Sequence, residues 1–216
     1  MKDLQAIRGA KLLRQWIAQG EHQTQDFKFV ISDACKIARS LSAFANRDGG
    51  RLLIGVKDNG IIAGVRNEED IYVVEQAAER YCYPSQQVTF NAYRIDGPIH
   101  VIVATIKAAD SRPVYAIESD GSRRAYYRVA DENIAAHPLL VRAWERKSNT
   151  AGRAIALSGI HTDMLGYIGR HESITDTRRI ALDLHISTAA TEQAIVDLAA
   201  LELIQFTYTN GHFGIK

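Results

Sequence analysis

From Ala34 the apolar residues Ile37, Ala38, Leu41 and Ala45 recur every three to four positions, a spacing that places them on one face of a helix. Ser32 or Asp33 stands where such a helix takes its N-cap, and Gly49-Gly50 where it stops. A looser repeat through Leu4, Ile7, Leu13, Trp16 and Ile17 predicts an opening helix over 3–19, ended at Gly20 in a left-handed exit. The apolar runs 52–56 and 61–65 flank Lys57-Asp58-Asn59-Gly60, and an Asn-Gly between such runs predicts a β-hairpin.

Beyond an acidic-capped helix near 68–81, runs at 88–95, 99–107, 113–118 and 123–129 alternate with turn signals such as Asp96-Gly97-Pro98 and Asp120-Gly121, the pattern of an antiparallel sheet. A helix over 137–147 is followed by linker-like residues 148–152. Helices over 160–170, 176–184 and 188–203 and a hairpin about Asn210-Gly211 then follow in winged-helix order. The expected class is α+β: a domain of mixed or antiparallel sheet with helices over 1–147, and a small winged helix-turn-helix domain over 153–216.

With 216 residues, 46% of them hydrophobic, the chain can bury its own core. Its two cysteines, Cys35 and Cys82, form no CxxC or His/Cys cluster, which argues against a disulfide framework or a zinc knuckle and fits a reducing cytoplasm. Charged residues through the first nineteen positions break any signal peptide or membrane span. The formal net charge is +1, with 21 Lys/Arg against 18 Asp/Glu up to residue 149 and 5 against 7 after it. That balance permits a polyanionic partner without pointing to one.

The chemistry-bearing residues concentrate between Glu21 and Asp58: Glu21-His22-Gln23-Thr24-Gln25-Asp26-Phe27-Lys28, then Ala43-Phe44-Ala45-Asn46-Arg47-Asp48-Gly49-Gly50, then Gly55-Val56-Lys57-Asp58. This segment resembles the Schlafen AlbA_2 family, whose pattern is an acid, a five-residue step to an acid-Phe-Lys triplet, an AFAN-x-x-GG helix end and a GV-x-D turn. Tyr127 to Asn133 resembles the family's closing Arg-containing strand. The resemblance covers roughly 10–147, and many bacterial relatives add a C-terminal helix-turn-helix. In nuclease members the positions of Glu21, Asp26 and Asp58 are the catalytic carboxylates. Here Asp26 replaces the usual Glu, which draws its oxygens back by about one methylene.

Three converging carboxylates suit Mg²⁺ or Mn²⁺, hard cations that take oxygen ligands, and an adjacent Lys28 offsets charge developing on a phosphodiester. The competing reading is a strand ion pair between Asp26 and Lys28, with Asp58 an ordinary turn aspartate. ATP is not supported: there is no GxxxxGK[ST] loop, and Gly49-Gly50 follows a helix instead of opening one. Arg47, Arg51, Lys57, Arg112, Arg123, Arg124 and Arg128 flank turns and strand ends of the first domain and suit phosphate contact. The last long helix carries Glu192, Asp197 and Glu202 with no Lys or Arg, unlike a major-groove reader. Its Leu198, with Leu201, Leu203 and Ile204, is available to a core or a homo-oligomeric interface. The expected function is nucleic-acid binding, as in a DNA-binding transcriptional regulator. Metal-dependent endoribonuclease and non-catalytic assembly module are the alternatives.

Overall fold

A computed structural model describes residues 7–65, 69–95, 99–149, 155–171 and 176–216. The chain forms two compact units, one of residues 1–110 with 114–135, the other of 111–113 with 136–216. Within the first lie β1 (Ile7–Arg8), α1 (Ala10–Ala18), β2 (Gln25–Lys28), α2 (Ala34–Ala45), β3 (Gly50–Ile54), α3 (Glu69–Arg80), β4 (Cys82–Tyr83), β5 (Val88–Arg94), β6 (His100–Ile106), β7 (Tyr115–Ile117), β8 (Arg123–Val129) and β9 (Glu132–Ala135). They make a five-stranded sheet, β1-β5-β6-β3-β2, and a four-stranded one, β4-β7-β8-β9.

The first sheet is mixed: β2 runs parallel to β3 and β1 parallel to β5, while β3, β6 and β5 pair antiparallel. Strand β3 has neighbours on both sides, which is why Leu52, Leu53 and Ile54 read as an unbroken apolar run. Leu52 and Ile54 join a core with α2 and α3; Leu53 faces the other way and packs with Leu13 of α1, Phe27 and Val103. Helix α2 is buried along Ile37, Ala38 and Leu41 through Ala45, and Asp33 accepts from the Lys36 N–H as its N-cap.

Two predicted elements change. The opening helix starts at Ala10, because Ile7 and Arg8 pair with Tyr93 and Arg94 as strand β1; positions 3–6 lie outside the described residues. The 52–65 hairpin shrinks to its turn, with Lys57 N–H donating to Ile61 O at 3.0 Å and one bridge between Val56 and Ile62. No second strand follows, because β2 and β6 already occupy both edges of β3. Gly55 and Gly64 also turn the backbone at φ +93° and +77°. A Cβ on Gly55 would stand 2.7 Å from the Gly64 carbonyl carbon, so only glycine fits there. The Asp96-Gly97-Pro98 turn lies outside the described residues.

The second unit contains α4 (Pro138–Asn149), α5 (Gly159–Ile168), α6 (Thr177–Asp183), α7 (Thr188–Ala200) and the antiparallel pair β10 (Phe206–Thr209) and β11 (His212–Ile215). Asn210 and Gly211, at φ +53° and +82°, supply the left-handed pair that a tight hairpin turn needs. Helix α4, expected to close the first domain, belongs instead to this unit. Its Arg142, Arg146 and Lys147 reach Glu192 and Asp197 at 3.0 Å and Glu202 at 2.5 Å. The linker-like stretch around 148–152 falls largely outside the described residues.

Those ion pairs account for the acidic character of the last long helix. Helix α7 is buried from Ala194 to Leu198, and Asp197 accepts from both Arg146 and Gln193. Of its polar side chains, Thr188 and Gln193 are exposed.

Candidate nucleic-acid interface and carboxylate cluster

The asparagine of the AFAN segment ties α2 to the second sheet. Asn46 is fully buried; its amide donates to Val114 O and Tyr126 O at 2.8 and 2.9 Å, and its oxygen accepts from Val114 N–H at 2.7 Å. Ser42, one helical turn earlier, donates to the same Val114 carbonyl and accepts from Tyr126 N–H. The glycines that follow are sterically required: a Cβ on Gly49 would meet backbone atoms of Ile106 and Ala108 at 2.8 Å, and one on Gly50 the Phe44 ring at 2.4 Å.

The acid-x4-acid-x-Lys segment closes the free edge of β2. Glu21 Oε1 accepts from Phe27 N–H at 2.8 Å, and Lys28 Nζ donates to Phe27 O at 2.8 Å. Lys28 also pairs with Asp26 Oδ2 at 2.7 Å. Both polar groups of an edge-strand residue are therefore occupied by side chains, which blocks pairing with another strand. The Glu21 and Asp26 carboxyl groups lie close enough to influence each other's ionisation.

Asp58 does not join them. It lies exposed in the turn after β3, and among the described residues no three His, Cys, Asp or Glu side chains stand close enough together to hold a metal. The donor set as arranged, two carboxylates already engaged by Phe27, Lys28 and Arg128, does not fit a divalent cation.

Burial, then the neighbouring Asp26 carboxyl, hold the Glu21 carboxyl above its usual value of 4.5, against the opposing influence of Phe27 N–H and Lys28. As pH rises past 4.5 the folded chain thus releases the Glu21 proton later than the unfolded chain does. This group's stabilisation is complete below pH 4.5 and is lost as pH rises through the raised folded value. Glu21→Gln retains an oxygen for Phe27 N–H and removes the titration. The stability difference between parent and variant should therefore change as pH rises from the ordinary value of 4.5 through the raised folded one. Urea unfolding across that range measures it; a constant difference would show that Glu21 titrates normally.

Of the basic residues predicted to meet phosphate, Arg128 is placed otherwise. It is 1% exposed, donates to His22 O, Gln25 O and Asn133 Oδ1 at 3.3, 3.2 and 2.8 Å, lies over the Phe44 ring and stands 3.7 Å from Asp26 Oδ1. Its alternation along β8 turns it toward α2, away from solvent. Arg112 lies in the second unit, not in the first domain.

The other five lie at the surface of the first unit. Arg47 rests over Tyr127 at 4.4 Å and donates to Arg128 O. Arg51 lies over Trp16 at 4.2 Å, Lys57 over Phe29 at 5.1 Å and Arg123 over Tyr83 at 3.7 Å. Arg124 is exposed beside Glu118 and Asp120. None of these aromatic partners was visible from sequence spacing, since Trp16 and Arg51, or Tyr127 and Arg47, are far apart in the chain.

Two sheets bracketing a buried helix define a mixed α+β architecture for the first unit. The Schlafen, AlbA_2 family model matches residues 21–137, and the chain belongs to that family. Two solved structures are similar at 20% identity. The DIP2311 protein of Corynebacterium diphtheriae aligns over 67% of this chain and 29% of its own, TM-score 0.42. The N-terminal domain of a RecG-related protein from Nitrosomonas europaea aligns over 56% and 88%, TM-score 0.38. The chain thus spans less than a third of the DIP2311 chain. No curated protein matches it. Among the described residues, no helix is long and apolar enough to cross a membrane.

Proposed function

We propose that this protein binds nucleic acid through its first unit, contacting phosphates with Arg47, Arg51, Lys57, Arg123 and Arg124. One observation carries the reading. Basic side chains of this unit lie repeatedly over aromatic rings, an arrangement that attracts a cation to the ring face and fixes its position. Six such pairs are present among its described residues, five of them on partly or fully exposed cations. Basic groups interleaved with aromatic rings suit a ligand that offers both phosphates and base faces.

The test is a binding titration with a fluorescently labelled oligonucleotide between about 50 and 200 mM salt. Five phosphate contacts predict a log–log slope of roughly −3.5 on a single strand and −4.5 on a duplex. A slope near zero, or no binding at low salt, would refute the reading.

The meeting of Glu21 and Asp26 favours a second reading, a Mg²⁺- or Mn²⁺-dependent endoribonuclease, which requires Asp58 to turn inward. Chelator-sensitive cleavage of structured RNA that Asp58→Ala abolishes would favour it. For the second unit, the order of helices and hairpin supports a winged helix. Its use in a transcriptional regulator would need an α7 free to read bases. The commitment of Glu192, Asp197 and Glu202 to α4 weighs instead for an assembly role, with homo-oligomerisation measured by light scattering.

A further inference from the structure

Arg51 is an arginine whose surroundings do not neutralise it. Its Nε donates to Gln25 Oε1 at 2.7 Å and a terminal nitrogen to Gln19 Oε1 at 3.4 Å, both uncharged amides, and its third neighbour is the Trp16 ring. Among the described residues no carboxylate pairs with it, although it is half-buried and burial lowers its pKa. Holding a cation in a partly dry place without a counter-charge is unfavourable unless a ligand completes the site.

The supports of this guanidinium are rigid. Gln25 spends its own amide on Trp16 O and Gly20 O, each at 2.7 Å, so its oxygen is fixed toward Arg51. Gln25 and Arg51 are also register partners across β2 and β3. The Trp16 indole is held edge-on against Tyr93, with centroids 5.8 Å apart. The guanidinium thus lies over an indole that is itself packed against Tyr93, with its Nε held by Gln25 before any ligand arrives.

His22 stands beside it, bridged to Gln25 on the same strand turn. Its Nδ1 accepts from Thr24 N–H at 3.3 Å, which leaves Nε2 as the protonated nitrogen of the neutral ring. Burial, with the charges of Arg51 and Arg128, lowers its pKa and keeps it neutral.

We infer that Trp16, Arg51 and His22 form a nucleotide subsite for single-stranded nucleic acid. An unpaired base stacks on the outer face of the Arg51 guanidinium, continuing the Trp16 stack, and the His22 Nε2–H donates to the adjoining phosphate. Bases stack on arginine planes as well as on aromatic rings, and only an unpaired strand offers that face. The inference rests on the nucleic-acid reading above and adds the strandedness of the ligand and two residues, Trp16 and His22.

The experiment compares one fluorescein-labelled 12-nucleotide sequence as RNA, as DNA and as duplex, by anisotropy with the full chain. The single strands should bind more tightly than the duplex. Arg51→Lys keeps the charge and loses the plane, and should weaken single-strand binding by roughly 5- to 150-fold, the range one base stack spans, with little effect on the duplex. His22→Gln should weaken single-strand binding in the same sense, and because it leaves Arg51 and Trp16 intact it serves as the check should Arg51→Lys not fold. Equal binding of single strand and duplex, or a folded Arg51→Lys or His22→Gln chain that binds single strands as the parent does, would overturn the subsite and leave the broader reading standing. A parent chain that binds none of the three would overturn both.

Discussion

Replacing Arg128 with methionine should destabilise the protein by about 3–5 kcal/mol, the usual consequence of removing one partner of a buried ion pair. Methionine fills a similar volume, so the loss is electrostatic and not a cavity. Asp26, with 6% of its side chain exposed, would keep only Lys28 as its cation. The carbonyls of His22 and Gln25 would lose their side-chain donor and keep only each other's N–H at the start of the edge strand. Urea unfolding of Arg128→Met, Asp26→Asn and the double variant tests it. The double variant should lose less than the two single losses combined, because the pair's members lean on each other. A loss under about 1 kcal/mol would place Arg128 among the replaceable surface cations after all.

Asn46→Ala should be comparably severe, at about 3–5 kcal/mol. It strands the Val114 N–H and leaves Tyr126 O without its side-chain donor, and a buried polar group left unsatisfied costs about 1–3 kcal/mol. Val114 O keeps the Ser42 hydroxyl, so not every bond is lost outright. Asn46→Asp retains the acceptor, forfeits the amide's donations to Val114 O, Tyr126 O and Ser42 Oγ and buries a charge; it should fare no better. Thermal unfolding near the parent temperature for Asn46→Ala would mean that α2 is held by its apolar face alone.

Locally encoded features were readable in the sequence. Helices α2, α3, α5, α6 and α7 and strands β5, β6 and β8 follow periods and caps within a dozen residues of themselves. Features that depend on distant partners were not. The pairing of β2 with β3 puts Asp26 opposite Leu52, and the burial of Arg128 depends on carbonyls more than a hundred residues earlier. Tyr127-Arg128-Val129 therefore looks like an exposed strand end until its partners are known. The Asp26–Lys28 ion pair followed from strand alternation alone, whereas the Glu21 bond to Phe27 required the chain to double back through His22. The hairpin was overpredicted because two glycines that mimic strand residues in hydropathy bend the backbone instead.

The ion pairs between α4 and α7 alter how the second unit meets a polyanion. Glu192, Asp197 and Glu202 each have a cation within 3.0 Å on the neighbouring helix, so what reaches solvent is a row of short dipoles instead of three negative poles. A dipole's field fades with distance faster than a single charge's, and salt at about 0.1 M screens what remains beyond roughly 10 Å. An approaching phosphate backbone would therefore sense little of the repulsion that the helix's own composition implies.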